Sequence, residues 1–307
     1  MTDELRTILD LIRWGASEFS RAGRARGPGH DTPIDEAAQL VMHVLALPPD
    51  IPSNYGHAAV TADEKRRILA LFERRIAERM PAAYLVGEAW FAGLAFKSDP
   101  RALVPRSPIA ELIQSGFEPW LGGRDVLRAL DLCTGSGCIA IAMAVHQPHW
   151  RVDAVDLSED ALALAAENAA RFDVAGRVRL LQSDLFAALA GERYDLIVSN
   201  PPYVPAAEVP LLPPEYAHEP SLGLAAGDDG LDLALRILRD APDHLTEDGL
   251  LVVEVGDSEA ALTALLPEVP FQWIEFKVGP MGVFALDAGP LRDARPRVAA
   301  LCAARGL

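Results

Sequence analysis

Asp131-Leu132-Cys133-Thr134-Gly135-Ser136-Gly137 closes an apolar run that begins at Val126, and its reading decides the fold. A short strand, a glycine turn and a helix predicted over 137–147 form the opening of a βαβ unit. Glycines at 135 and 137 let the backbone approach a ligand, and the helix start leaves N–H groups unpaired. Gly135-x-Gly137-x-x-Ala140, with Asp156 some twenty residues on, also fits a dinucleotide fingerprint. Asp131 separates the two readings. A carboxylate at the strand end would repel a pyrophosphate but suits the ammonium of an amino-acid moiety.

Beyond this turn, strands and helices alternate. Strands are predicted at 126–131, 151–156, 177–182, 194–199, 249–255, 271–277 and 282–287, and helices at 137–147, 158–172, 231–245 and 257–266. This is the pattern of an α/β fold with an open, mostly parallel sheet covered on both faces. The last two strands lack an intervening helix and are expected to be antiparallel. Upstream, residues 3–22, a segment opening at Thr32-Pro33-Ile34-Asp35, and Thr61 to Met80 read as amphipathic helices, with a Gly/Arg-rich break over 23–29. Ala89 to Phe96 reads as a short hairpin, Ser107 to Leu121 as a helix, and Pro201 to Pro220 as a loop over the site.

The chain has 307 residues, half of them apolar, and a net charge of −16. That balance opposes unaided binding to a polyphosphate backbone and favours a basic partner, although charge also serves solubility. Met1-Thr2-Asp3-Glu4 opens without a basic leader or apolar core, so no targeting segment is expected, and no apolar run reaches the ~18 residues of a membrane span. Cys133, Cys138 and Cys302 are odd in number and lack zinc spacing, as suits a reducing compartment. A cytoplasmic enzyme is expected.

Asp156 ends the second strand, where its carboxylate can accept from both hydroxyls of a ribose. Asp184 ends the third, placed to meet an adenine edge, with Leu185 or Phe186 to pack on its face. Recognition of ammonium, ribose and adenine in that order describes S-adenosylmethionine better than a nicotinamide cofactor. Cys133, Thr134, Gly135, Ser136 and Gly137 complete this cofactor site. Ser199-Asn200-Pro201-Pro202-Tyr203 follows the buried strand Asp195 to Val198, and two prolines there fix the chain rigidly at the crevice. The Asn200 oxygen and the Pro201 carbonyl can each accept an N–H from a planar, weakly nucleophilic nitrogen, and Tyr203 can pack on its plane. A side-chain amide and an exocyclic base amine both fit.

Together, Pro81-Ala82-Ala83-Tyr84-Leu85-Val86-Gly87, the Phe91 to Phe96 hairpin, Val104-Pro105-Arg106, the glycine loop, Asn200-Pro201-Pro202-Tyr203, Glu219-Pro220 and Gly227-Asp228-Asp229-Gly230 resemble the HemK-like glutamine N(5)-methyltransferases. Ser107-Pro108-Ile109-Ala110-Glu111 and Leu9 to Ser17 look like the branch acting on large-subunit ribosomal protein L-three. The resemblance implies a seven-stranded Rossmann-like methyltransferase domain using S-adenosylmethionine, with catalysis at Asn200, Pro201, Pro202 and Tyr203. It also implies a helical substrate-recognition domain at 1–86, a hairpin linker at 87–106, the methyltransferase domain at 107–290 and a C-terminal tail at 291–307. Asn200 is also expected at the cofactor, and Phe91 is a candidate substrate contact, with ordinary core packing placed ahead of that role. Arg106 reads as structural. His146 and His149 lack a third ligand, so no metal is assigned. His218 lies near the presumed chemistry but is not required as a base. The rivals are adenine N6 methylation of DNA or RNA, methylation of a release-factor glutamine, a noncatalytic binder of the cofactor or of a ribosomal partner, and a nicotinamide dehydrogenase.

Overall fold

The computed structural model describes residues 2–23, 32–48, 51–277 and 279–307. Past Gly23, the expected Gly/Arg-rich break lies outside these residues. Thr7 caps α1 (Ile8–Arg21) through a reciprocal capping box with Asp10. Thr32 caps α2 (Pro33–Leu45), where Pro33 occupies the first turn. Thr61 and Glu64 form a second capping box on α3 (Ala62–Glu78). The apolar stripes of these helices meet in one core containing Leu11, Phe19, Leu40, Ile68 and Phe72. Gly15 is required in it, because a Cβ there would lie 2.6 Å from the Phe72 ring.

A short α4 (Ala82–Val86) leads into the hairpin β1 (Glu88–Phe91) and β2 (Leu94–Lys97), then α5 (Ile109–Gln114). The helix expected to reach Leu121 stops early. Gly116 takes φ +66°, its N–H donates to Ile113 and that of Phe117 to Leu112, which together form a Schellman stop.

The sheet follows with β3 (Arg128–Leu132), α6 (Cys138–His146), β4 (Arg151–Asp156), α7 (Glu159–Arg171), β5 (Val178–Gln182), β6 (Tyr194–Ser199), α8 (Asp232–Asp240), β7 (Leu245–Glu254), α9 (Glu259–Leu265), β8 (Gln272–Phe276), β9 (Gly279–Asp287) and α10 (Ala288–Arg305). Strand order is β5-β4-β3-β6-β7-β9-β8. β3 to β7 run parallel, and β9 is antiparallel to both β7 and β8, as the missing helix implied. Alternate side chains of each strand enter different cores. Ala129, Val152, Val198 and Val252 pack toward α5 and α6, while Leu130, Ile197, Leu251 and Phe284 pack toward α8 and α10. The chain reverses direction across the sheet between β3 and β6, and there the carboxyl ends of neighbouring strands open a crevice.

Two further elements differ from expectation. The helix predicted over 231–245 ends at Asp240, where Pro242 follows and cannot donate to the helix ladder, so β7 begins at Leu245 rather than 249. Residues 291–307, read as a tail, form most of α10, which buries Leu291, Ala294, Val298 and Cys302. Pro296 inside that helix and its many small residues hid the pattern. Among the described residues, no helix is long and apolar enough to cross a membrane.

Candidate active site

The crevice is a cavity of about 1080 Å³. Its floor is the turn after β3. Asp131 is fully buried beneath that turn, accepting from the Thr134 hydroxyl at 2.5 Å and the Ala140 N–H at 3.1 Å. Burial pushes its carboxyl up to about 7, against the pull of these two bonds. Its second oxygen has no partner among the described residues, nor has the buried Ser136 hydroxyl. Asp156 at the end of β4 accepts from Gly135 N–H at 2.8 Å and Ser158 N–H at 2.9 Å. Burial raises its pKa, and these backbone bonds oppose the shift. It therefore fixes the glycine loop while still lining the cavity. Gly137 takes φ +79°, and a Cβ there would meet Ile141 at 2.9 Å and Ala165 at 3.0 Å, so only glycine lets α6 start this close to α7.

The opposite wall is the corner after β6. The Ser199 hydroxyl donates to the Leu132 carbonyl at 2.9 Å, tying this corner to the floor. Asn200 Nδ2 faces the Arg106 carbonyl at 3.4 Å, so Oδ1 is the acceptor end of that carboxamide. Arg106 is itself pinned. Its guanidinium makes a two-pronged pair with Glu219 at 2.7 and 2.8 Å, and Glu219 also accepts from the Val104 N–H at 2.8 Å. The Tyr203 hydroxyl donates to Glu254 at 3.0 Å, and the Ser107 hydroxyl to the other Glu254 oxygen at 2.6 Å. Burial pushes the Glu254 carboxyl up to about 7, although both hydroxyls and Arg106 favour its charged form.

The chain matches the PrmC N-terminal domain over residues 10–87 and the methyltransferase small domain over 121–211. It is 65% identical over 303 residues to the ribosomal protein uL3 glutamine methyltransferase of Xanthomonas campestris pv. campestris, covering 99% of this chain and 98% of that one. This chain belongs to the ribosomal protein uL3 glutamine methyltransferase family. A second member, from Xylella fastidiosa, is 64% identical over 99% of this chain and 97% of its own. The solved hMettl16 catalytic domain in complex with MAT2A 3′UTR hairpin 6 shares the fold at 19% identity and a TM-score of 0.52, over 80% of this chain and 91% of that one.

In this methyltransferase the cavity is lined by Cys133, Thr134, Gly135, Ser136, Asp156, Asp184, Leu185, Asn200, Pro201, Pro202 and Tyr203, all expected at the site. Two expectations differ. Asp131, expected to meet an ammonium, lies beneath the loop as its anchor, because Thr134 folds back over it. Gly137 serves helix packing and does not line the cavity. Phe91, for which core packing stood ahead of a substrate contact, is only 4% exposed and packs edge-on against Phe96 in the core under the hairpin. Of the two residues offered for a base face, Leu185 lines the cavity, whereas Phe186 stacks on His244 at 4.6 Å. Asp184 is held by Arg236 at 2.8 Å. His218 faces away from the chemistry, with Nε2 at 3.0 Å from the Glu78 carbonyl, and His146 Nε2 bonds the Ala92 carbonyl of the hairpin at 2.9 Å.

Sequence reasoning missed Glu254, and it quoted Ser107 and Ser199 without the bonds by which they hold the site. Glu254 carried one available signal: an acid ending the otherwise apolar run Leu250 to Val253, at a sheet's carboxyl end.

Proposed function

We propose that this enzyme methylates the side-chain nitrogen of a glutamine in ribosomal protein uL3, with S-adenosylmethionine as donor. The orientation of Asn200 carries the reading. With Nδ2 turned to Arg106, Oδ1 and the Pro201 carbonyl are left to accept the two N–H groups of a primary amide. An amide nitrogen is poorly nucleophilic because its lone pair is delocalised. Two preorganised acceptors favour the positive charge that develops on that nitrogen and aim it, without a strong base.

The residues fit the donor. Asp156 would hold the ribose, Asp184 and Leu185 the adenine, and the loop from Cys133 to Ser136, with its unpartnered Ser136 hydroxyl, the amino-acid end. When bound, S-adenosylmethionine supplies an electrophilic sulfonium methyl group. Asp131 shapes this site from below. Tyr203, fixed by Glu254, packs beside the amide, and the helices at 1–86 help to select the protein substrate. The net charge of −16 suits a basic ribosomal protein met in the cytoplasm, and the reading needs no contact with nucleic acid.

The test is incubation with radiolabelled methyl donor and, separately, uL3, peptide release factors and DNA, followed by mass spectrometry of the product. Label on a uL3 glutamine is expected. Label only on a release factor or on adenine would overturn the substrate assignment.

A further inference from the structure

Glu215 lies in the loop between β6 and α8, yet its carboxylate is fully buried against the N-terminal helices. Arg75 of α3, also fully buried, reaches it at 3.3 Å, and Arg79, at the C-cap of α3, reaches it at 3.2 Å. Arg75 is held from behind by Glu36 of α2 at 2.7 Å. Burial alone would raise the Glu215 pKa, but its own backbone N–H, Arg79 and Arg75 hold it below the usual carboxylate range. Arg75 Nη2 and Arg79 Nε have no partner among the described residues. A cluster of four charges, three of them buried, with unmet donors is a poor source of stability, since apolar side chains of similar size serve as well or better. What it supplies is a fixed position.

The next residue shows what is fixed. Tyr216 lines the cavity, and the Arg106 guanidinium sits over its ring, 5.0 Å from the centroid. The carbonyl of the same Arg106 faces Asn200 Nδ2. A continuous set of contacts thus runs from α2 and α3 through Glu215, Tyr216 and Arg106 to the carboxamide at the site. We propose that Glu215 is a positioning residue through which the N-terminal helices set the cavity wall and, through it, Asn200. This rests on the role given to Asn200 above and extends it: the N-terminal helices act on the geometry of the reaction as well as on choice of substrate.

The test uses the full chain carrying Glu215→Gln, which keeps the side chain's shape and removes its charge. Amide exchange across 201–223 is expected to rise about tenfold, with β3 and β4 unchanged. The kcat on uL3 is expected to fall roughly 10- to 100-fold, with KM for the methyl donor within about twofold of wild type. A folded variant with wild-type kcat overturns the proposal, whether or not exchange in the loop changes. If Glu215→Gln does not fold, Arg79→Gln tests the same carboxylate from its more exposed side and is expected to move both readings in the same direction. If the wild type itself modifies no glutamine in uL3, the functional reading fails separately, and the exchange arm still decides whether Glu215 holds the wall.

Discussion

Glu254 holds the Tyr203 hydroxyl at 3.0 Å, so a side chain at the end of β7 fixes the aromatic ring of the corner after β6. The Glu254 carboxyl is 4% exposed and is pushed up to about 7 by burial, against an ordinary 4.5. Between those values the folded chain holds a proton that the unfolded chain gives up. Its contribution to stability is therefore full below pH 4.5 and is lost as pH rises toward about 7. Glu254→Gln is expected to remove that slope, on the order of 3 kcal/mol between pH 5 and 8. Urea unfolding of both proteins at the two pH values checks it, and parallel slopes would contradict it.

Asn200→Ala removes one of the two acceptors proposed above, and kcat is expected to fall about 10²- to 10³-fold. The fold should survive, because among the described residues the Asn200 side chain makes one long hydrogen bond, to the Arg106 carbonyl. Single-turnover rates beside a thermal melt separate the two effects. Near-normal turnover on a verified substrate would remove Asn200 from the mechanism.

Asp156→Ala is expected to weaken donor binding by roughly 10- to 100-fold, the loss of charge-assisted hydrogen bonds of about 1.5 to 3 kcal/mol. Part of this loss comes from the glycine loop, since Asp156 also accepts from Gly135 N–H. Titration calorimetry with S-adenosylhomocysteine measures it, and an affinity equal to wild type would exclude Asp156 from the site.

Gly230 and Gly256 both press on Tyr203, but on different atoms. A Cβ at 230 would lie 2.1 Å from the Tyr203 carbonyl oxygen, and one at 256 would lie 2.7 Å from the ring. Backbone yields less readily than a ring, so Gly230→Ala should cost more stability and activity than Gly256→Ala, with each strained by about 1 to 3 kcal/mol at its positive φ. Melting temperatures and kcat/KM should follow that order, and the reverse order would mean that the ring is the stiffer element.

Phe91→Leu is expected to lower stability by about 1 kcal/mol through lost core packing and to leave KM for the protein substrate unchanged. A raised KM with unaltered stability would return Phe91 to the substrate surface.

The alternation of strands and helices, the capping threonines and the corner at 199–203 were legible because each is a local pattern: an apolar period, a cap spacing, a proline pair. Helix α10 was not, since Pro296 and a small-residue face carry little of that signal. Asp131 was misplaced, and Phe91 left between two readings, for a related reason. An acid at a strand end and an aromatic in a hairpin read the same from sequence whether they face a cavity or a core.

By itself, the sequence determined the order of strands, the glycine turn at a strand end, the proline-fixed corner at 199–203 and the acidic balance, because these depend on residues near one another in the chain or on simple counts. Only the tertiary structure decided which partners those residues meet. Glu254 meets Tyr203 across 51 residues, Arg106 meets Glu219 across 113 and Arg75 meets Glu215 across 140. Such pairings arise when the sheet brings distant strand ends together and burial penalises any charge left without a partner.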